Sequence, residues 1–150
     1  MLGWGQPVAK ILIVDDDVAV QATIKILLER AGHSVAVAGD GRKGLAISES
    51  ERFDLLFLDI FMPGMDGLDM MRTLHRRQSR VPIIIMSGKP IHSDTGSGPD
   101  FLTIATQLGA VSSLQKPFMP AALLAAVAGC LAAANRPSSS ISAGNIASGP

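Results

Sequence analysis

Short, almost unbroken apolar runs recur along this chain at regular intervals. They are Lys10-Ile11-Leu12-Ile13-Val14, Ser34 to Ala38, Leu55-Leu56-Phe57-Leu58, Pro82-Ile83-Ile84-Ile85-Met86 and the weaker Val111-Ser112-Ser113-Leu114-Gln115. Runs that do not alternate with polar residues read as strands covered on both faces, as in a parallel sheet. Longer stretches with helical spacing lie between them. The first runs from about Asp17 to Ala31, turns Ile24, Leu27 and Leu28 inward and stops at Gly32. The second follows the Asp40-Gly41 turn to about Ser50, and the third spans about Asp66 to Arg77. The fourth starts near Asp100 with Phe101, Ile104, Ala105 and Leu108 on one side, and the fifth runs from near Met119-Pro120 to about Ala134. Strands alternating with helices predict a parallel sheet with helices on both faces and right-handed crossovers.

The residues that end the runs carry the candidate chemistry. Strand one ends in Asp15-Asp16-Asp17, strand three in Asp59, strand four in Ser87-Gly88 and strand five in Lys116-Pro117-Phe118. Three acids in a row have no place inside a sheet, so they lie at its edge or in a loop. Five βα units fit a flavodoxin-like α/β order, 2-1-3-4-5, in which strands one and three are neighbours at the switch point. Asp15, Asp16 and Asp59 then converge where open α/β sheets bind ligands. Converging carboxylates repel, and a hard divalent cation with oxygen ligands relieves that repulsion.

Composition narrows the classes. Apolar residues make up 47% and charged residues 17%, which suits a folded domain rather than a disordered chain. Basic and acidic residues both number 13, which argues against a duplex nucleic-acid binder. The only basic cluster, His75-Arg76-Arg77 with Arg80, falls at a predicted helix C-terminus, where cations favour the dipole. A single cysteine, Cys130, excludes an internal disulfide and reads as a small buried hydrophobe. His33, His75 and His92 are too dispersed for a metal site. No signal-peptide pattern opens the chain, so a cytoplasmic location is expected. Residues 1–8 read as a flexible lead-in, 9–132 as the folded domain and 133–150 as a disordered Ser/Ala/Gly tail.

Four motifs in order, Ile-Leu-Ile-Val-Asp-Asp, Leu-Asp-Ile-Phe-Met-Pro-Gly-Met-Asp-Gly, Met-Ser-Gly and Lys-Pro-Phe, resemble the receiver domain of bacterial two-component response regulators. The resemblance implies that Asp59 is a phosphoacceptor and Asp16 a direct Mg²⁺ (or Mn²⁺) ligand. It makes Asp15 a more indirect ligand and the Phe61 backbone carbonyl another. Lys116 pairs with the phosphoryl oxygens, Ser87 donates its hydroxyl to them, and the Lys116–Pro117 bond is cis. The implied partners are a sensor histidine kinase or a histidine phosphotransfer protein, and a downstream protein on the face of helix four, strand five and helix five. No nucleic acid or membrane partner is expected. The protein would not be an enzyme beyond its own phosphorylation and dephosphorylation.

Departures from the family pattern leave questions open. Ser113 stands where the family usually has an aromatic residue, three before the motif lysine. The loop 89–99 is longer than usual, either a tolerated insertion or a mobile lid, and Phe61 and Lys89 flank the expected path of attacking water. Asp17 reads as a helix cap or a further ligand. Helix five carries no charge from Pro117 through Asn135, which leaves an Ala-rich surface, an interface with a partner or a second copy, or a membrane insert. Two rival functions remain. One is a degenerate receiver acting as an interaction module. The other is a phosphatase of the haloacid-dehalogenase type with Asp15 as nucleophile.

Overall fold

The computed structural model describes residues 8–88 and 101–134. The lead-in to residue 7, the loop 89–100 with Lys89 and His92, and residues 135–150 lie outside them. Along the chain run β1 (Lys10–Val14), α1 (Val18–Arg30), β2 (Ser34–Ala38), α2 (Gly41–Ser50), β3 (Leu55–Asp59), α3 (Gly67–Arg76), β4 (Ile83–Ser87), α4 (Phe101–Gln107), β5 (Ala110–Gln115) and α5 (Pro120–Ala134). All strand pairings are parallel and the order is β2-β1-β3-β4-β5, as the sequence predicts.

Each central strand feeds two cores, because successive side chains point to opposite faces. Leu12, Val14, Leu56, Leu58, Ile83 and Ile85 pack with Met70, Met71, Leu74 and Ala105 on one face. Ile11, Ile13, Leu55, Phe57, Ile84 and Met86 pack with Ile24, Leu28, Leu123 and Val127 on the other. Thus α1 and α5 cover one face and α2, α3 and α4 the other. Each fully buried large aliphatic contributes roughly 1.5–3 kcal/mol. That two-sided burial is why the strands read as unbroken apolar runs.

Three aspartates start three helices. Asp17 accepts from the N–H groups of Ala19 and Val20 at 2.9 and 3.3 Å, Asp40 from Lys43 at 2.8 Å and Asp66 from Asp69 at 2.9 Å. Each satisfies amides that the first helical turn leaves unpaired. Asp17 is therefore a cap.

Two details of β5 differ from the pattern reading. β5 begins one residue early, at Ala110, and its register with β4 shifts between Ile83 and Ile84, so that Ala110 faces one core and Leu114 the other. Val111, at that irregularity, is left 58% exposed. α5 ends at Ala134, where the helical pattern placed its end, so residues 133 and 134 belong to the helix. α5 buries Leu123, Val127, Cys130 and Leu131 and turns Ala121, Ala122, Ala125, Ala128, Ala132 and Ala133 to solvent. Its outer face is made of methyl groups, and no helix among the described residues is long and apolar enough to cross a membrane.

Candidate functional site

The carboxyl ends of β1, β3, β4 and β5 bring the charged residues together. β3 stays paired with β4 up to its last residue, Asp59, and the Ile60 N–H donates to the Met86 carbonyl at 3.1 Å. Asp59 is thus the end of a strand rather than a loop residue, and it is only 4% exposed. Asp15 is fully buried one strand away, with its N–H donating to the Ala38 carbonyl at 3.1 Å. Carboxylate oxygens of Asp15, Asp16 and Asp59 lie within 4.8 Å of one another, and Asp16 alone of the three is exposed.

Lys116 spans the two buried acids. Its Nζ lies 2.6 Å from Asp15 Oδ2 and 3.2 Å from Asp59 Oδ2. The Lys116 N–H donates to the Ser87 carbonyl at 2.7 Å, which ties its backbone to the end of β4; the Lys116–Pro117 bond is cis as expected. Ser87, the last residue of β4, is fully buried at the same end.

The remaining carboxylate oxygens are held by the backbone. Asp59 Oδ1 accepts from the Phe61 N–H at 3.0 Å, and Asp15 Oδ1 from the Asp17 N–H at 2.8 Å. Burial pushes the Asp59 carboxyl up from its ordinary value, the Phe61 N–H and Lys116 pull it back, and Asp15 adds to the rise. Burial alone would lower the Lys116 ammonium, but its contacts with Asp15 and then Asp59 outweigh that and raise it.

This donor set fits a hard divalent cation. Three carboxylates converge, and the buried Asp15 Oδ2 has the ion pair with Lys116 as its one polar contact among the described residues. An all-oxygen set of this charge suits Mg²⁺ or Mn²⁺ rather than a softer metal.

Asp15, Asp16, Asp59, Ser87 and Lys116 are all brought to one end of the sheet, with Phe61 just beyond β3. Two supporting residues escaped the sequence reading. Gln21 Nε2 donates to the Asp15 carbonyl at 2.5 Å, so the first turns of α1 hold the acidic loop. Nothing in its place within a helix pattern marks it. A Cβ on Gly67 would lie 2.4 Å from the Asp59 carbonyl oxygen, so α3 starts pressed against the end of β3. The Asp66-Gly67 pair signalled only a helix start. Its close backbone approach is a tertiary fact.

Comparison with known proteins agrees with this geometry. Residues 11–128 match the family model described as the response regulator receiver domain. PhoP of Bacillus subtilis, an alkaline phosphatase synthesis transcriptional regulatory protein, is 32% identical over 111 residues, covering 74% of this chain and 43% of its own length. MtrA of Mycobacterium tuberculosis, a DNA-binding response regulator, is 37% identical over 118 residues, covering 79% of this chain and 48% of its own. The chain thus spans about half the length of these relatives. The chemotaxis protein CheY4 of Vibrio cholerae superposes with a TM-score of 0.73 at 28% identity, covering 83% of this chain and 99% of that one. A CheY-like receiver domain protein from Methanospirillum hungatei gives 0.73 at 29% identity, covering 82% and 93%.

Proposed function

Since the chain belongs to the response regulator receiver domain family, whose members are signalling modules, we propose that it is a phosphoacceptor in a two-component phosphorelay. The observation that carries this reading is the Lys116 ammonium held between the buried carboxylates of Asp15 and Asp59 at the sheet's carboxyl end. A nucleophilic carboxylate, a cation for the phosphoryl oxygens and a divalent-metal donor set occupy one small site.

An oxygen of Asp59 attacks phosphorus in an N-phosphoimidazole. A P–O bond forms as the P–N bond breaks, and the imidazole leaves with the electron pair and takes a proton from solvent. The product is an acyl phosphate on Asp59, which water later hydrolyses. Asp16, Asp15, Asp59 and the Phe61 carbonyl would hold Mg²⁺ or Mn²⁺, which would supply charge neutralisation for the transfer. Lys116 shifts from its carboxylate partners to a phosphoryl oxygen, as a point charge suited to that task. Ser87 donates its hydroxyl to another. Positioning and charge account for most of such a transfer. The donor is a histidine kinase or histidine phosphotransfer protein, which places the reaction in the cytoplasm.

The signal leaves by the face of α4, β5 and α5, toward a partner protein. Exposed Val111 and Met119 and the methyl-lined outer side of α5 support that assignment.

The test is Mg²⁺-dependent labelling by acetyl phosphate, read by intact mass. Wild type gains one phosphoryl group with magnesium and none without it, and Asp59→Asn gains none. An adduct that survives Asp59→Asn would sink the assignment and move the nucleophile to Asp15. A wild type that forms neither an adduct nor a stable beryllofluoride complex is an interaction module instead.

A further inference from the structure

The opposite end of the sheet carries a second, unrelated concentration of charge. The α3–β4 corner wraps an open recess of about 600 Å³, lined by His75, Arg76, Gln78, Ser79 and Arg80. It adjoins a second recess of about 480 Å³ that shares Ser79 and Arg80 and adds Arg52 from the turn between α2 and β3. Four guanidinium groups, those of Arg52, Arg76, Arg77 and Arg80, thus line one or other of these two adjoining recesses, and the second also takes in Glu49, Glu51 and Asp54.

These cations are not used up by the fold. The carboxylates nearby are already engaged, Glu49 with Arg77, Glu51 with Lys10, and Asp54 with the Lys10 N–H at 2.8 Å. Arg52, Arg76 and Arg80 form no ion pair among the described residues. Arg76 reaches only the neutral Thr73 hydroxyl, at 3.3 Å. Nor are they needed to cap α3. Gln78 turns into the left-handed region at φ 60°, which lets the N–H groups of Arg77, Gln78 and Ser79 satisfy the carbonyls of Thr73, His75 and Leu74. The helix end is closed by backbone alone. Some attraction to the helix dipole remains, but that acts within the last turn and does not explain Arg52 or Arg80.

We infer that this corner is a binding site for an oligophosphate anion. The residues lining the recess at the corner include no carboxylate and no apolar side chain, only guanidinium, imidazole, amide and hydroxyl groups, while the carboxylates of the adjoining recess are engaged as above. An apolar ligand gains nothing there. A ligand rich in acceptor oxygens can take two hydrogen bonds from each guanidinium fork. The site lies at the amino end of the strands, away from Asp15, Asp16 and Asp59, so its occupancy does not depend on the reading of Asp59.

The experiment is a titration of the full chain with pyrophosphate, in EDTA so that no metal is involved, followed by ¹H–¹⁵N NMR. Saturable shifts are expected at the amides of residues 75–81 and at Arg52. Arg76→Gln with Arg80→Gln should weaken the apparent affinity about tenfold or more, since two forked contacts are lost. Arg30→Gln, on the last turn of α1, should leave it unchanged. Both variants alter exposed side chains, and retained amide dispersion confirms their fold. No saturable shift at the corner overturns the proposal. So does an affinity unchanged in the double variant, or equally weakened in Arg30→Gln, which would indicate general charge screening.

Discussion

Lys116 is the residue on which the site's electrostatics turn. Its ammonium occupies the space between Asp15 and Asp59, 18% exposed against 0% and 6% for its partners. A divalent cation that took Asp15 Oδ2 as a ligand would have to displace the Lys116 ammonium from it. Lys116→Met leaves two buried carboxylates facing each other, so without metal the variant should lose about 3 kcal/mol in urea unfolding. The same change removes the competitor, so its Mg²⁺ affinity, read by calorimetry, should rise several-fold while labelling of Asp59 slows. A weaker Mg²⁺ affinity in the variant would rule the competition out. His33 supplies a separate pH effect. Its Nδ1 accepts the Ala9 N–H at 3.1 Å, and burial lowers the imidazole from its ordinary 6.5. Below that value the unfolded chain binds the proton before the folded one does, so stability falls as pH drops toward the lowered value. His33→Asn keeps an acceptor but cannot titrate. Wild type should therefore lose more stability than this variant between about pH 7.5 and about pH 5.5, and equal losses would show that His33 is not responsible.

At the scale of elements, the site depends on how closely α3 meets β3. Gly67 sits where a Cβ would meet the Asp59 carbonyl oxygen at 2.4 Å and Ile60 Cα at 2.6 Å. Both are backbone atoms at the end of a fully paired strand, so α3 must move instead. Gly67→Ala should cost about 2 kcal/mol and slow the labelling of Asp59. Gly64, also in this connection, has φ 74°, and a methyl group added there would meet no atom within 4 Å. Gly64→Ala should incur only the left-handed backbone cost of about 1 kcal/mol and keep its labelling rate. Equal labelling by the two variants would mean that the packing of α3 does not position Asp59. Helix five makes the complementary point. Its uncharged sequence left three environments open, and within the domain it buries Leu123, Val127, Cys130 and Leu131 and presents an alanine exterior.

The net charge is zero, but charge is unevenly placed among the described residues. The carboxyl end of the sheet gathers Asp15, Asp16, Asp17, Asp40, Asp59 and Asp66, while the amino-end turns carry Arg52, Arg76, Arg77 and Arg80 beside Glu49, Glu51 and Asp54. Parallel winding produces this separation, because every turn after a strand lies at one end and every turn before a strand at the other. A composition count adds the two ends together and hides them. The basic cluster near residues 75–80 therefore looked like a helix-end effect in one dimension. Only folding brings Arg52 beside Arg80 and leaves both without a carboxylate partner among the described residues.

The sequence by itself determined the elements, their alternation and hence the parallel order, since two-sided burial writes itself as unbroken apolar runs and helix starts as aspartate caps. It also marked Asp15, Asp16, Asp59, Ser87 and Lys116, because strand ends in such a sheet share one edge. Tertiary structure alone decided which contacts those residues make. The Lys116 bridge, the support from Gln21, the pressure of Gly67 on Asp59 and the shifted register of β5 join positions far apart in the chain or depend on distances of a few ångströms. Local pattern reports periodicity and chemical type, and carries no measure of how closely two segments approach once packed.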